Sequence, residues 1–205
     1  MKVLFYILVF FSCISARAQV KAWSAAEKAL ILRQLEETRQ ELLNTISPLS
    51  TRQYFYRLDE NSWSANDIIE HLVQMEEGYI REFWWALAQP PMPAYRDSTA
   101  GGDKIAMDYA TSPVKSQARG TNLPLQRYCD KETGIRVFNT VRDQAIAFFT
   151  LNEARDMRGY FVFRNNAKGG REARDLHQQA LWLISHTVRH TDQLKRYLAD
   201  PRFPK

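Results

Sequence analysis

Two imidazoles stand four residues apart near the C-terminus, at His186 and His190 in the stretch from Leu183 to Leu194. The stretch reads as helix, and at 3.6 residues per turn positions i and i+4 lie one above the other. Such a pair can offer two nitrogens to one metal ion without bending the backbone. Two interior histidines bonded to neighbouring polar groups fit the same spacing. A zinc-protease reading does not fit, because Thr187 stands where the H-E-x-x-H signature places its general-base glutamate. No G-x-S-x-G elbow or phosphate-binding loop is present either.

The chain has two further histidines, His71 and His177. His71 belongs to a second helical segment, in which Ile68, His71, Leu72, Met75 and Tyr79 share one broad apolar face. An interior imidazole needs a partner. Together, His71, His186 and His190 would make a three-nitrogen site on two helices. His177 precedes His186 by nine residues, about 13.5 Å at 1.5 Å per residue, and cannot join them.

The segments that carry these residues, W-S-x-x-(D/E)-I-x-x-H-L from Trp63 to Leu72 and H-x-x-R-H-x-x-Q from His186 to Gln193, resemble the DinB-like family of helical-bundle metalloproteins. The resemblance spans about residue 25 to Pro204. It implies an all-α fold, a four-helix bundle of DinB-like type with one long crossover connection. It also implies a divalent metal ion on His71, His186 and His190; three imidazoles suit Zn, Ni, Cu or Fe, with Zn or Ni preferred. Water would fill the open coordination position. Family members include metal-dependent hydrolases and thiol S-transferases, so the resemblance leaves the reaction open; a non-catalytic metal- or ligand-binding bundle is the alternative. Arg189 and Gln193 recur in the family pattern. Gln193 shares the histidine stripe and is expected beside the ligands, and Arg189 is expected to pair with an acid.

The elements that must position the site can be read in order. Residues 1–18 have the form of a signal peptide: a positive start at Lys2, an apolar run from Val3 to Ile14, and an A-x-A site at Ala16 to Ala18. Cys13 lacks the small-residue pattern of a lipoprotein cysteine. The mature domain is then residues 19–205, exported to the periplasm or secreted, with no membrane segment after signal removal. An oxidising location weighs against a small-thiol cofactor. Loss of Lys2 and Arg17 takes the net charge from +5 to +3, too little to mark a nucleic-acid surface. The expected partner is a small-molecule substrate or ligand, and the sequence leaves a homodimer open. Cys129 would be the one remaining cysteine, so packing rather than a disulfide holds the fold.

Ser24 and Glu27 form an S-x-x-E capping box for a first helix that Pro48 ends. A Tyr- and Arg-rich connector from Leu49 to Asn61 allows one short turn. Ser64 and Asp67 cap the second helix, which Pro90 and Pro91 end. Capping is the preferred role for Asp67, ahead of a place in the site. Glu70, Glu76 and Glu77 are assigned to a solvated face. Residues 90 to about 129 form the crossover, with a short helix expected from Asp103 to Tyr109. Tyr95, Met107 and Tyr109 are its candidate pocket walls. A third helix follows from Glu132 to Leu151, then turns around a short extended piece at Tyr160 to Phe163. The fourth helix begins at Arg171 or Asp175 and ends at Leu198.

Overall fold

The structure, a computed structural model, describes residues 23–114, 118, 120–165 and 169–205. The leader assigned to residues 1–18, with its cleavage site and Cys13, lies outside the described residues. Four long helices make the bundle: α1 (Ala25–Ile46), α3 (Ala65–Leu87), α5 (Lys131–Leu151) and α6 (Leu176–Leu198). Short α2 (Thr51–Phe55) fills the connector, and α4 (Gly102–Asp108) lies in the crossover. Each long helix starts where its cap is written. Ser24, Ser64 and Asp175 form reciprocal capping boxes, and Asp130 accepts from the Thr133 amide. Gly101 enters α4 at φ +78°, a left-handed conformation that glycine adopts without cost.

Helix directions follow from which side chains meet. Trp23, just before α1, reaches His177 at the start of α6, and Glu41 meets Lys195 near both C-terminal ends, so α1 and α6 run parallel. Just past the C-terminal end of α1, the Ser47 and Leu49 carbonyls accept from Lys131 at the start of α5, so these two helices are antiparallel. Glu76 meets Arg142 and Trp84 meets Phe148, which makes α3 and α5 parallel. Glu82 meets Gln179 and His71 meets His186, which makes α3 and α6 antiparallel. The order is up-down-down-up, as expected for a bundle with one crossover. Parallel α3 and α5 require the chain between them to travel back along the bundle.

The third helix begins one residue before its expected start. The fourth begins at Leu176, one residue past Asp175, the later of its two expected starts; the earlier fails, because Arg171 to Asp175 is strand β2 (Arg171–Asp175), paired antiparallel with β1 (Phe161–Asn165). Extended backbone at Tyr160 to Phe163 was expected; its partner was not. Asp175 ends the hairpin and caps α6 in one position.

The solvated-face assignment holds for exposed Glu77 and fails for two of the three glutamates. Glu70 and Glu76 are buried, at 0% and 1% exposure. Glu70 accepts from the Arg127 side chain at 2.6 Å and its amide at 3.2 Å, which ties the end of the crossover to α3. Glu76 pairs with Arg142 of α5, itself fully buried. Arg142 also donates to the Leu35 carbonyl, to Thr38 of α1 at 2.9 Å and to Thr187 of α6 at 2.9 Å. One guanidinium thus links all four long helices at mid-bundle. At the bundle end, Arg158 gathers Glu27, Asp103 and Asp175 in the same manner.

Removing one partner of a buried ion pair leaves a charge that nothing solvates. Arg142→Met should therefore cost about 3–5 kcal/mol in chemical denaturation, and adding Glu76→Leu should restore most of that loss. A single-variant cost below about 1 kcal/mol would show that the pair does not hold the bundle.

Candidate metal centre

His71 enters from α3, two turns past the Ser64 cap. His186 and His190 enter from α6, one turn apart on the same face. The structure brings the three together: Nε2 of His186 lies 3.2 Å from Nε2 of His71 and 3.1 Å from Nε2 of His190. All three rings are buried, at 5%, 5% and 8% exposure. Their ligating atoms all fall within 4.8 Å of one another, so the group could hold a metal ion.

Hydrogen bonds identify the free nitrogens. Nδ1 of His71 sits 2.7 Å from the Asn122 carbonyl oxygen, which can only accept. The ring proton is therefore on Nδ1, and Nε2 presents a bare lone pair to the other two rings. That arrangement, with the outer nitrogen held by a carbonyl, is how metal-ligating histidines are oriented. Nδ1 of His190 is buried with no hydrogen-bond partner among the described residues. Two nitrogens bound to one tetrahedral zinc at 2.0–2.1 Å lie about 3.3 Å apart, so the observed spacings fit the donor set.

Electrostatics keep the site ready for a cation. Burial holds the His71 imidazole below its ordinary pKa, against the opposing pull of the Asn122 carbonyl. His186 is pushed well below by burial, then by His190, His71 and the Arg189 charge. His190 falls to about 3, first from burial, then from His71 and Arg189, with Gln193 opposing. All three are neutral near pH 7, the form that ligates.

Other expected residues fall in different places. Gln193 lies beside His190 and lines the pocket. Asp67 caps α3 and pairs with Arg57, at 2.9 and 2.8 Å, rather than entering the site. His177 accepts from the Trp23 indole at the far end of the bundle. Arg189 corrects the expectation of an acidic partner. Its guanidinium donates to the backbone carbonyls of Tyr109, Ser112 and Val114 and lies over the Tyr109 ring. Of the crossover's candidate walls, Tyr109 packs on Trp182 and His186, whereas Tyr95 packs on β1 and Met107 is exposed.

Trp63, which the sequence marks only as part of the first motif, stacks on His190 and closes on His71 at 4.9 Å between ring centres. Around these rings opens a cavity of about 1200 Å³, walled by α3, α6 and the crossover. No helix among the described residues is long and apolar enough to cross a membrane.

Residues 34–194 match the model of the DinB superfamily. The chain belongs to that superfamily. No curated protein matches it. A solved structure from Bacillus subtilis, YfiT, is similar over 86% of this chain and 90% of its own, with a TM-score of 0.54 and 16% identity. YfiT is described as a probable metal-dependent hydrolase with an unusual four-helix bundle topology. At that identity the likeness establishes the DinB-like four-helix fold and no more.

The DinB triad makes a prediction for the metal-free protein. Depressed histidine pKa values mean that the unfolded chain binds more protons than the folded one below about pH 6.5. Their contribution to stability is complete above that pH and is lost progressively towards the folded value, about 3 for His190. Urea denaturation of chelator-treated protein should show stability falling between about pH 6.5 and pH 5, and His190→Gln should flatten that fall. A slope unchanged by His190→Gln would contradict the assignment.

Proposed function

We propose that the protein is an exported, metal-dependent hydrolase of the DinB superfamily, with His71, His186 and His190 as ligands of one divalent ion, zinc or nickel. The observation that carries this reading is the convergence of three neutral Nε2 atoms in the wall of a large cavity. Three ligands with open positions are the catalytic arrangement, and an ion held there would polarise a carbonyl and lower the pKa of a bound water to about 7.

The chain's own residues supply the rest. The Asn122 carbonyl fixes the His71 tautomer. Trp63 and Tyr109 cover the imidazoles and keep bulk water from them. Arg189 favours neutral histidines and holds the Tyr109 to Val114 segment against α6. Asp192 is the carboxylate among the described cavity-lining residues and the candidate to accept a proton there. A small-molecule substrate suits the cavity, and neither a nucleic-acid surface nor a membrane segment enters the proposal.

Purified protein loaded with zinc or nickel should bind about one ion per chain and hydrolyse 4-nitrophenyl acetate. Losing a residue that merely orients a ligand costs about 10–100-fold, so His71→Ala or His190→Ala should lose at least that much activity together with the ion. Full metal occupancy in His71→Ala would remove the site. Metal binding without turnover of any ester or amide would leave a binding bundle. Export is tested separately: mass spectrometry of protein from its native host should find an N-terminus at or near Gln19.

A further inference from the structure

The cavity continues past the histidines along the groove between α3 and α6. His71, Met75 and Tyr79 line it on one side, and His190, His186 and Trp182 on the other. Tyr79 lies eight residues beyond His71, about 12 Å along the helix at 1.5 Å per residue. At that end the lining passes to Arg164 of β1 and Arg174 of β2. Strand register explains why they meet. Val162 pairs with Arg174 and Arg164 with Glu172, so the two arginines are diagonal neighbours on one face of the hairpin.

Both guanidinium groups are held in place by aromatic rings. Arg174 lies 4.0 Å from the Trp182 ring centre and Arg164 lies 5.1 Å from that of Tyr79. Only 15% of the Arg174 side chain and 29% of Arg164 are exposed. Each is anchored by one carboxylate, Arg174 through Nε and Nη2 to Glu172, and Arg164 through Nη2 to Glu82. Glu82 also accepts from Gln179. Neither Nη1 has a hydrogen-bond partner among the described residues, and Nε of Arg164 is buried without one. The other two arginines among the described lining residues are placed differently: Arg189 directs its Nη donors to backbone carbonyls, and Arg196 lies beyond His190, away from the hairpin.

We propose that Arg164 and Arg174 form a carboxylate-binding subsite. It would select substrates whose labile bond lies at the histidines and whose carboxylate lies on the order of 10 Å away, across an apolar spacer. Pre-oriented guanidinium donors recognise a carboxylate with directional, charge-assisted bonds. Between the two ends the groove is lined by Met75, Tyr79, Tyr109 and Trp182, which suits an alkyl or aryl spacer. The proposal rests on the hydrolase reading for the identity of the labile end, and on the hairpin arginines alone for the anionic end.

Binding can be measured apart from turnover. Calorimetric titration of the zinc-loaded protein with 8-oxononanoate, a ketone in place of the ester at one end and a carboxylate at the other, should give affinity at least about tenfold above that for 2,9-decanedione. Arg174→Met and Arg164→Gln should each bring the two ligands to within about threefold, with metal content and circular dichroism unchanged. If Arg174→Met does not fold, Arg164→Gln alone decides. Equal affinities in the unaltered protein would overturn the subsite. So would a carboxylate preference that survives both substitutions, because the anion would then sit elsewhere, the metal included. Arginine-dependent preference without any hydrolysis of monomethyl suberate, the matching ester, would sink the hydrolase reading while leaving the subsite standing.

Discussion

The fully buried Arg142 guanidinium is the constraint on which the rest depends. A cation removed from water must have its donors satisfied by the protein. Here the acceptors come from the Leu35 carbonyl and Thr38 on α1, Glu76 on α3 and Thr187 on α6. A planar fork of donors fixes directions as well as distances. Rotating any one of these helices about its axis would leave a buried charge or hydroxyl without a partner. A buried ion pair gains little over an apolar pair of the same volume, so its consequence is geometric. Thr187 sits between His186 and His190 in the chain. The bond that sets its direction therefore sets theirs.

Topology decides what covers the site. With α3 and α5 parallel, the chain between them has to return along the bundle, and that return becomes a wall rather than a short turn. Its far end is fastened by Arg127 to the buried Glu70, the residue before His71. Its middle supplies the Asn122 carbonyl to His71 and the Tyr109 ring to His186. Arg189, chain neighbour of His190, grips the same segment through three carbonyls. The residues flanking the histidines in sequence thus hold the crossover against them.

This division explains what could be read from the chain alone. Caps and helical spacing are local, so Ser24, Ser64, His186 and His190 declared their roles through near neighbours. Glu76 and Arg142 also carried a local signal. Glu76 lies four residues from both Leu72 and Ile80, and Arg142 lies between Phe138 and Ala145 at helical spacing, each a charge inside an apolar stripe. Assigning Glu76 to solvent weighed the residue type above its position. The partners of Arg189 left no such trace. They are main-chain carbonyls 75 to 80 residues away, and any sequence supplies carbonyls. The strand pairing of Arg171 to Asp175 was hidden for a similar reason, because its hydrogen-bonding partner is the preceding strand and its polar composition suits a helix start equally well.

The position after His186 shows how the buried network limits what this helix can carry. In an H-E-x-x-H helix that position carries the base. Here Thr187 is fully buried, accepts from Arg142, and lies 3.4 Å from the nearer Glu76 oxygen. It does not line the cavity. A glutamate there would place a second carboxylate against Glu76 and take up volume in a packed core, and like charges at that distance resist joint ionisation. The general base of a zinc protease is thus excluded by the same contact that orients His186 and His190. For the proposed hydrolase, the carboxylate that the described cavity lining offers as a proton acceptor is Asp192, two residues past His190.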